Sequence, residues 1–149
     1  MEYELIYHSH AASKICSQDL TKVFEEAKSY NAENNITSCL LFHNDEFLQI
    51  LEGEKADIEV AFERILEDPR HNDVFMVEMQ PIRNRMFESP MVLDVVGTDE
   101  FRMIGSEEKD LGGFKTQPEK ANQLFMHISN MAKSQKKDMH NNPVGPMVC

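Results

Sequence analysis

The stretch Phe47-Leu48-Gln49-Ile50-Leu51-Glu52-Gly53 constrains the fold more than any other. It is an apolar run of large side chains, stopped by Gly53 just before a helical pattern, and it reads as a strand. Alternation puts Phe47, Gln49 and Leu51 on one face and Leu48 and Ile50 on the other. Both faces are therefore buried, and the sheet that holds this strand needs cover on both sides. Gln49 brings two donors and an acceptor into that run. A buried amide that finds no partner costs about 1–3 kcal/mol. A neighbouring backbone group or a water is the simplest partner, and the rest of the chain decides whether a ligand is another.

The pattern on either side names the architecture. Tyr3 to Ser9 alternates as a strand. Ser17 reads as an N-cap, with Asp19 favourable in the first turn of the helix after it. Its apolar stripe is Leu20, Val23, Phe24 and Ala27, and the same progression lands on Asn31 and Asn34. The inner face of this helix thus turns polar at its end, unless these asparagines only cap it. Ile36 to Phe42 and the Gln49 strand form a hairpin around His43-Asn44-Asp45-Glu46. A second helix, Lys55 to Asp68, points Ile58, Ala61, Phe62, Ile65 and Leu66 inward and stops before Pro69. Arg64 and Asp68 stand four apart on its flank, the spacing of a surface ion pair. Strands from Val74 to Ile82 and Met91 to Val96 come next, joined by a basic connection.

The order β-α-β-β-α-β-β is that of an α+β, ferredoxin-like core with one added strand. Right-handed crossovers place both helices on one face of the sheet and set the first and third strands side by side. Tyr7, Gln49 and Asn31 then converge between sheet and helices, a polar cluster suited to a planar polar ligand. The other face needs a cover, expected from residues 99–104 and 118–133 as helices, the latter apolar through Ala121, Leu124, Phe125, Ile128, Met131 and Ala132. The domain reading is a core over 1–97, a helical cap and output region over 98–135, and a flexible tail over 136–149.

Charge and composition exclude several classes. A net charge of −11 over 149 residues argues against nucleic acid or an anionic membrane as the main partner. No apolar run has the length of a spanning helix, and Met1-Glu2-Tyr3-Glu4 is no signal peptide, so a cytoplasmic protein is expected. Cys16, Cys39 and Cys149 form neither a disulfide framework nor a metal motif. His8 and His10 share a strand face but show no third ligand at metal spacing, so no metal is expected and a solvated edge is the simpler reading. His71, after the Pro69 stop, reads as a packing residue of a loop, and Met76, Met79, Met91 and Met131 as an adaptable surface.

The residues also resemble a known family. Leu5-Ile6-Tyr7-His8-Ser9, Asn31 with Asn34-Asn35-Ile36-Thr37, the run 47–53, Arg64-Ile65, Asp68-Pro69-Arg70-His71 and Arg85-Met86-Phe87 agree in order and spacing with BLUF domains. These sense blue light through a flavin, and the C-terminal helices resemble the cap of the short, stand-alone members. The resemblance implies that Tyr7 is the redox-active tyrosine and Gln49 the switching amide. It implies a cofactor site of Asn31, Arg64, Asp68, Ile36, Leu40, Phe47 and His71. The cofactor would be FAD, with FMN and riboflavin as alternatives. The chain would be a photoreceptor without catalysis of its own, acting on a signalling partner through its C-terminal helices and forming homo-oligomers. Two positions depart from the family. Pro90 stands where a tryptophan is common, with Met91 after it, and Ser38 replaces the glycine that usually comes after Ile-Thr. Ser38, Pro90 and Met91 are therefore the candidate relay. Two other readings stay open: a light-inert flavin- or protein-binding module on the same fold, and an acylphosphatase-like hydrolase. The hydrolase lacks its Gly-rich loop, because Ser9-His10-Ala11-Ala12 stands after the first strand.

Overall fold

The computed structural model describes residues 1–135, and the tail expected over 136–149 lies outside them. The strand that is apolar on both faces is β3 (Glu46–Glu54), and it lies in the middle of a five-stranded sheet. Around it run β1 (Glu2–Ala11), α1 (Ser17–Glu33), β2 (Thr37–His43), α2 (Lys55–Glu67), β4 (His71–Pro81) and β5 (Val92–Val95). The strand order is β4-β1-β3-β2-β5. β1 pairs antiparallel with β3, placing Tyr7 directly opposite Gln49. β2 and β3 form a hairpin whose two loop residues, Asn44 and Asp45, take φ of 48° and 58°. Asn and Asp tolerate that left-handed backbone, which matches the twist of a tight hairpin. The added strand β5 runs parallel to β2. This is the expected ferredoxin-like α+β core.

Each face of the sheet has its own cover. On one side, Leu5, Tyr7 and Leu51 pack under α2 against Ile58, Ala61 and Phe62. Beside them Leu40, Phe47, Met91 and Leu93 meet Leu20 and Phe24 of α1. On the other side, Ile6, Leu41, Leu48 and Ile50 are covered by α3 (Thr98–Met103), a 3-10 turn (Leu111–Thr116) and α4 (Pro118–Gln135). Ala121, Leu124, Phe125 and Ile128 form the buried stripe of α4, at helical spacing. Burying each large side chain of this kind is worth roughly 1.5–3 kcal/mol.

The structure corrects several sequence expectations. Ser17 is the first helical residue of α1, and its N-cap is Cys16. Leu66 is 52% exposed rather than inward, because the packed stripe of α2 runs through Ile58, Ala61, Phe62 and Ile65 and leaves Leu66 beside it. Met91 is fully buried and belongs to the core rather than to a surface. β4 begins at His71, paired with Ala11, where a loop was expected. A register shift near Asp73, whose φ is 52°, breaks the alternation that would have revealed it. Among the described residues, no helix is long and apolar enough to cross a membrane.

Candidate functional site

Tyr7 and Gln49 face the two helices from paired strands, and both are almost wholly buried. The Tyr7 hydroxyl donates to Gln49 Oε1 at 2.5 Å. Burial pushes the Tyr7 phenol far above its ordinary value, with the Asp68 charge adding to the effect. The phenol therefore keeps its proton at any physiological pH. The amide nitrogen of Gln49 points the other way, to Ser38 Oγ at 3.4 Å and Met91 Sδ at 3.9 Å.

Ser38 is the hub of a buried hydrogen-bond network. Its Oγ accepts from Asn31 Nδ2 at 3.0 Å and lies 3.0 Å from the Pro90 carbonyl and 3.2 Å from Met91 Sδ. Its single proton serves one of those two acceptors at a time. Asn31 Nδ2 also donates to the Pro90 carbonyl at 3.0 Å. Of the two asparagines in the polar end of α1, Asn34 is the C-cap, and Asn31 is the one turned into the protein.

Above this network a cleft of about 640 Å³, open solvent at its mouth included, separates α1 from α2. Leu40 and Leu51 share its floor with Tyr7 and Gln49; Val23, Glu26, Ala27, Tyr30 and Asn31 form one wall, and Ala61, Arg64 and Ile65 the other. The Arg64 guanidinium stacks 3.7 Å from the centre of the Tyr30 ring, bridging the two walls. Asp68, Arg70 and His71 close the far end. The ion pair suggested by the Arg64–Asp68 spacing does not form. Past the end of α2 the backbone of Asp68 becomes extended, and its carboxylate turns to Arg70, accepting from Nε at 3.0 Å and Nη2 at 2.7 Å. Those Arg70 hydrogen bonds hold the Asp68 carboxyl below the usual carboxylate range. His71 Nδ1 lies 2.8 Å from Ser9 Oγ, and burial pushes its imidazole down, so the ring is neutral.

Residues 3–92 match the family described as BLUF, sensors of blue-light using FAD. The chain belongs to the BLUF family. It is 38% identical over 89 residues to photoactivated adenylate cyclase subunit beta of Euglena gracilis, covering 60% of this chain and 10% of that protein. This BLUF chain thus spans about a tenth of the length of the curated relatives it matches. Among solved structures, BlsA in its ground state is 26% identical with a TM-score of 0.68, over 85% of this chain and 89% of that one. BlrP1 of Klebsiella pneumoniae, with FMN and cyclic diGMP, is 33% identical with a TM-score of 0.57, over 62% and 25%. BlrB, a BLUF protein in its dark state, aligns at a TM-score of 0.72 over 87% and 96%, and at 22% identity it speaks for the fold alone.

BLUF domains bind flavin, and the cleft suits one. A flavin ring is planar, apolar at one end and edged with carbonyls and ring nitrogens at the other. The cleft offers apolar side chains on both walls, the amides of Gln49 on its floor and Asn31 beside it, and the cations Arg64 and Arg70. Of the residues expected to hold the cofactor, Asn31, Leu40, Arg64, Asp68 and His71 line the cleft with Tyr7 and Gln49. Ile36 and Phe47 do not. Ile36 packs in the Tyr7 cluster, and Phe47 lies against Phe42 and His71. Of the α1 wall only Asn31 was expected; Val23, Ala27 and Tyr30 were not, although they keep to the same helical progression and carry that signal. Arg70 stood in the motif 68–71 without an assigned role, since its direction depends on the turn after Pro69.

Proposed function

We propose that this chain is a blue-light photoreceptor in which Tyr7 is the electron and proton donor and Gln49 the hydrogen-bond switch. The observation that carries this is the buried Tyr7–Gln49 hydrogen bond at the floor of the cleft. FAD, when bound, supplies the blue absorption and, once excited, an acceptor for an electron and a proton. Arg64 and Arg70 are the cations we assign to its anionic tail, and Asn31 and Asp68 to its polar edges. A phenol that stays neutral loses its proton together with the electron, and Tyr7 already shares that proton with Gln49 Oε1. Gln49 then turns or tautomerises, exchanging donor for acceptor without creating a charge. Where the amide turns, Ser38 faces its oxygen in place of its nitrogen, donates its hydrogen bond to Gln49 and releases Pro90 or Met91. In a buried network a single exchange of this kind is felt by every member.

The output runs through Met91 into β5, which leads by way of Gly97 into α3. Ser129 of α4 also donates to the carbonyl of Met86, ahead of the relay. We assign the C-terminal helices as the surface that acts on a downstream signalling protein or on a second copy of the chain. The test is a visible absorption spectrum in the dark and under blue light. A flavin spectrum that moves reversibly to longer wavelength is expected. Tyr7→Phe and Gln49→Leu should bind flavin and lose that shift, and a normal shift in Tyr7→Phe removes Tyr7 from the mechanism. Bound flavin without any shift in the parent protein leaves a light-inert binding module.

A further inference from the structure

The sheet face opposite the cleft carries a second polar cluster that the light-driven chemistry does not use. His8 of β1 is completely buried beneath the 3-10 turn. Its Nε2 lies 2.7 Å from Glu46 Oε1, while its Nδ1 has no hydrogen-bond partner. His10, two residues on and on the same face, meets the His8 ring edge-on with centroids 5.0 Å apart. Its Nδ1 is also buried and without a hydrogen bond, 3.8 Å from Asp73 Oδ2. Buried polar atoms without partners are rare in folded proteins. A structural His8–Glu46 hydrogen bond accounts for one ring nitrogen and leaves the other two unexplained. The solvated strand edge expected of these histidines fails for His8, which is fully buried, while the His10 side chain is 43% exposed.

We propose that His8, His10 and Glu46 form a binding site for a divalent transition metal of the zinc type, with Asp73 as its fourth donor. One ligand atom from each of the three lies within 4.8 Å of the others. Donor atoms on a single tetrahedral zinc stand roughly 3.4 Å apart, given bonds of about 2.1 Å, so small side-chain rotations close the set. Two imidazoles with carboxylate oxygen are a donor set that zinc accepts. The third ligand was invisible in sequence because it comes from the neighbouring strand β3, where Glu46 pairs with His10 of β1. Asp73 sits at the register shift in β4, where its side chain reaches His10. Glu46 and Asp73 balance the charge of a dication. Lys115, whose charge reaches His8, is half-buried, with its ammonium 5.8 Å from the centre of the Phe75 ring.

The site would join the sheet to the C-terminal cover. Glu46 Oε1 also accepts from the Gly112 backbone N–H at 2.6 Å. A Cβ on Gly112 would stand 3.2 Å from that oxygen and 3.6 Å from His8 Nε2, so the turn lies directly over the pair. An ion bound here clamps β1, β3 and β4 and the 3-10 turn together.

The test is calorimetric titration of the full chain with Zn²⁺, after removal of adventitious metal by chelation and dialysis. The expected result is one Zn²⁺ per chain, with affinity reduced about tenfold or more in His10→Ala and Glu46→Gln. Asp73→Asn alters a side chain that is 83% exposed and keeps the fold, and it should lose part of the Zn²⁺-dependent rise in melting temperature. A parent protein that takes up no Zn²⁺ overturns the proposal. So does parental affinity in both His10→Ala and Glu46→Gln, because the ion is then held elsewhere.

Discussion

Ser38 decides more than its size suggests. Its hydroxyl is the point where the Gln49 amide, the Asn31 amide, the Pro90 carbonyl and the Met91 sulfur meet. A hydroxyl both donates and accepts, so it can satisfy Gln49 in either orientation. Alanine cannot. In Ser38→Ala the Gln49 amide nitrogen keeps only the Met91 sulfur at 3.9 Å, a weak acceptor at that range. Loss of a buried partner should cost about 1–3 kcal/mol of stability, measured by denaturant unfolding. The rotated amide should lose more than the resting one, because only Ser38 donates to its oxygen. The lit state of Ser38→Ala should therefore return to the dark state severalfold faster than the parent, tracked at the shifted absorption band. Equal recovery rates would make Ser38 structural and leave the relay to Met91 alone.

At the scale of elements, the parts that keep one clean period were legible in the sequence. The β3 run announced a strand buried on both faces, and the α4 stripe announced the cover for the second face. Asn44 and Asp45 marked the hairpin because few other residues tolerate φ near 50°. What was hidden depends on geometry that no period carries. Arg70 reaches Asp68 through the turn after Pro69, and Glu46 meets His8 and His10 only once β1 and β3 are in register. The 3-10 turn is six residues including Gly112 and Gly113, too short for a stripe, yet Leu111 and Phe114 are fully buried. The cover depends on such contacts, and Phe125 of α4 is its clearest test. Phe125→Ala should destabilise the protein by about 3–5 kcal/mol in equilibrium denaturation. A loss under about 1 kcal/mol would mean that the core side of the sheet is stable without α4.

For the whole molecule, the seam between sheet and cover is also where negative charge accumulates, in a chain of net charge −11. Glu78 of β4 has its carboxyl pushed up to about 7, chiefly by burial, then by a hydrogen bond and charge from Glu4, with Glu119 of α4 adding to it. Glu4 in turn accepts from Asn122 of α4 at 2.8 Å and from Gln80 at 2.7 Å. The folded protein thus holds the Glu78 proton more tightly than the unfolded chain, whose glutamates titrate near 4.3. The stability from this group is complete below that value and is lost as pH rises through about 7. Buried His8 and His71, both pushed down, have the opposite slope on the acid side, so the parent's own pH curve mixes the two. Glu78→Gln separates them, since it keeps the shape and the hydrogen bonds of the protonated acid. Its melting temperature should exceed the parent's clearly at pH 8 and little at pH 5. Added salt should narrow the gap at pH 8 by screening Glu78 from Glu4 and Glu119. An equal difference at both pH values would show that Glu78 ionises freely and that the seam is indifferent to its charge.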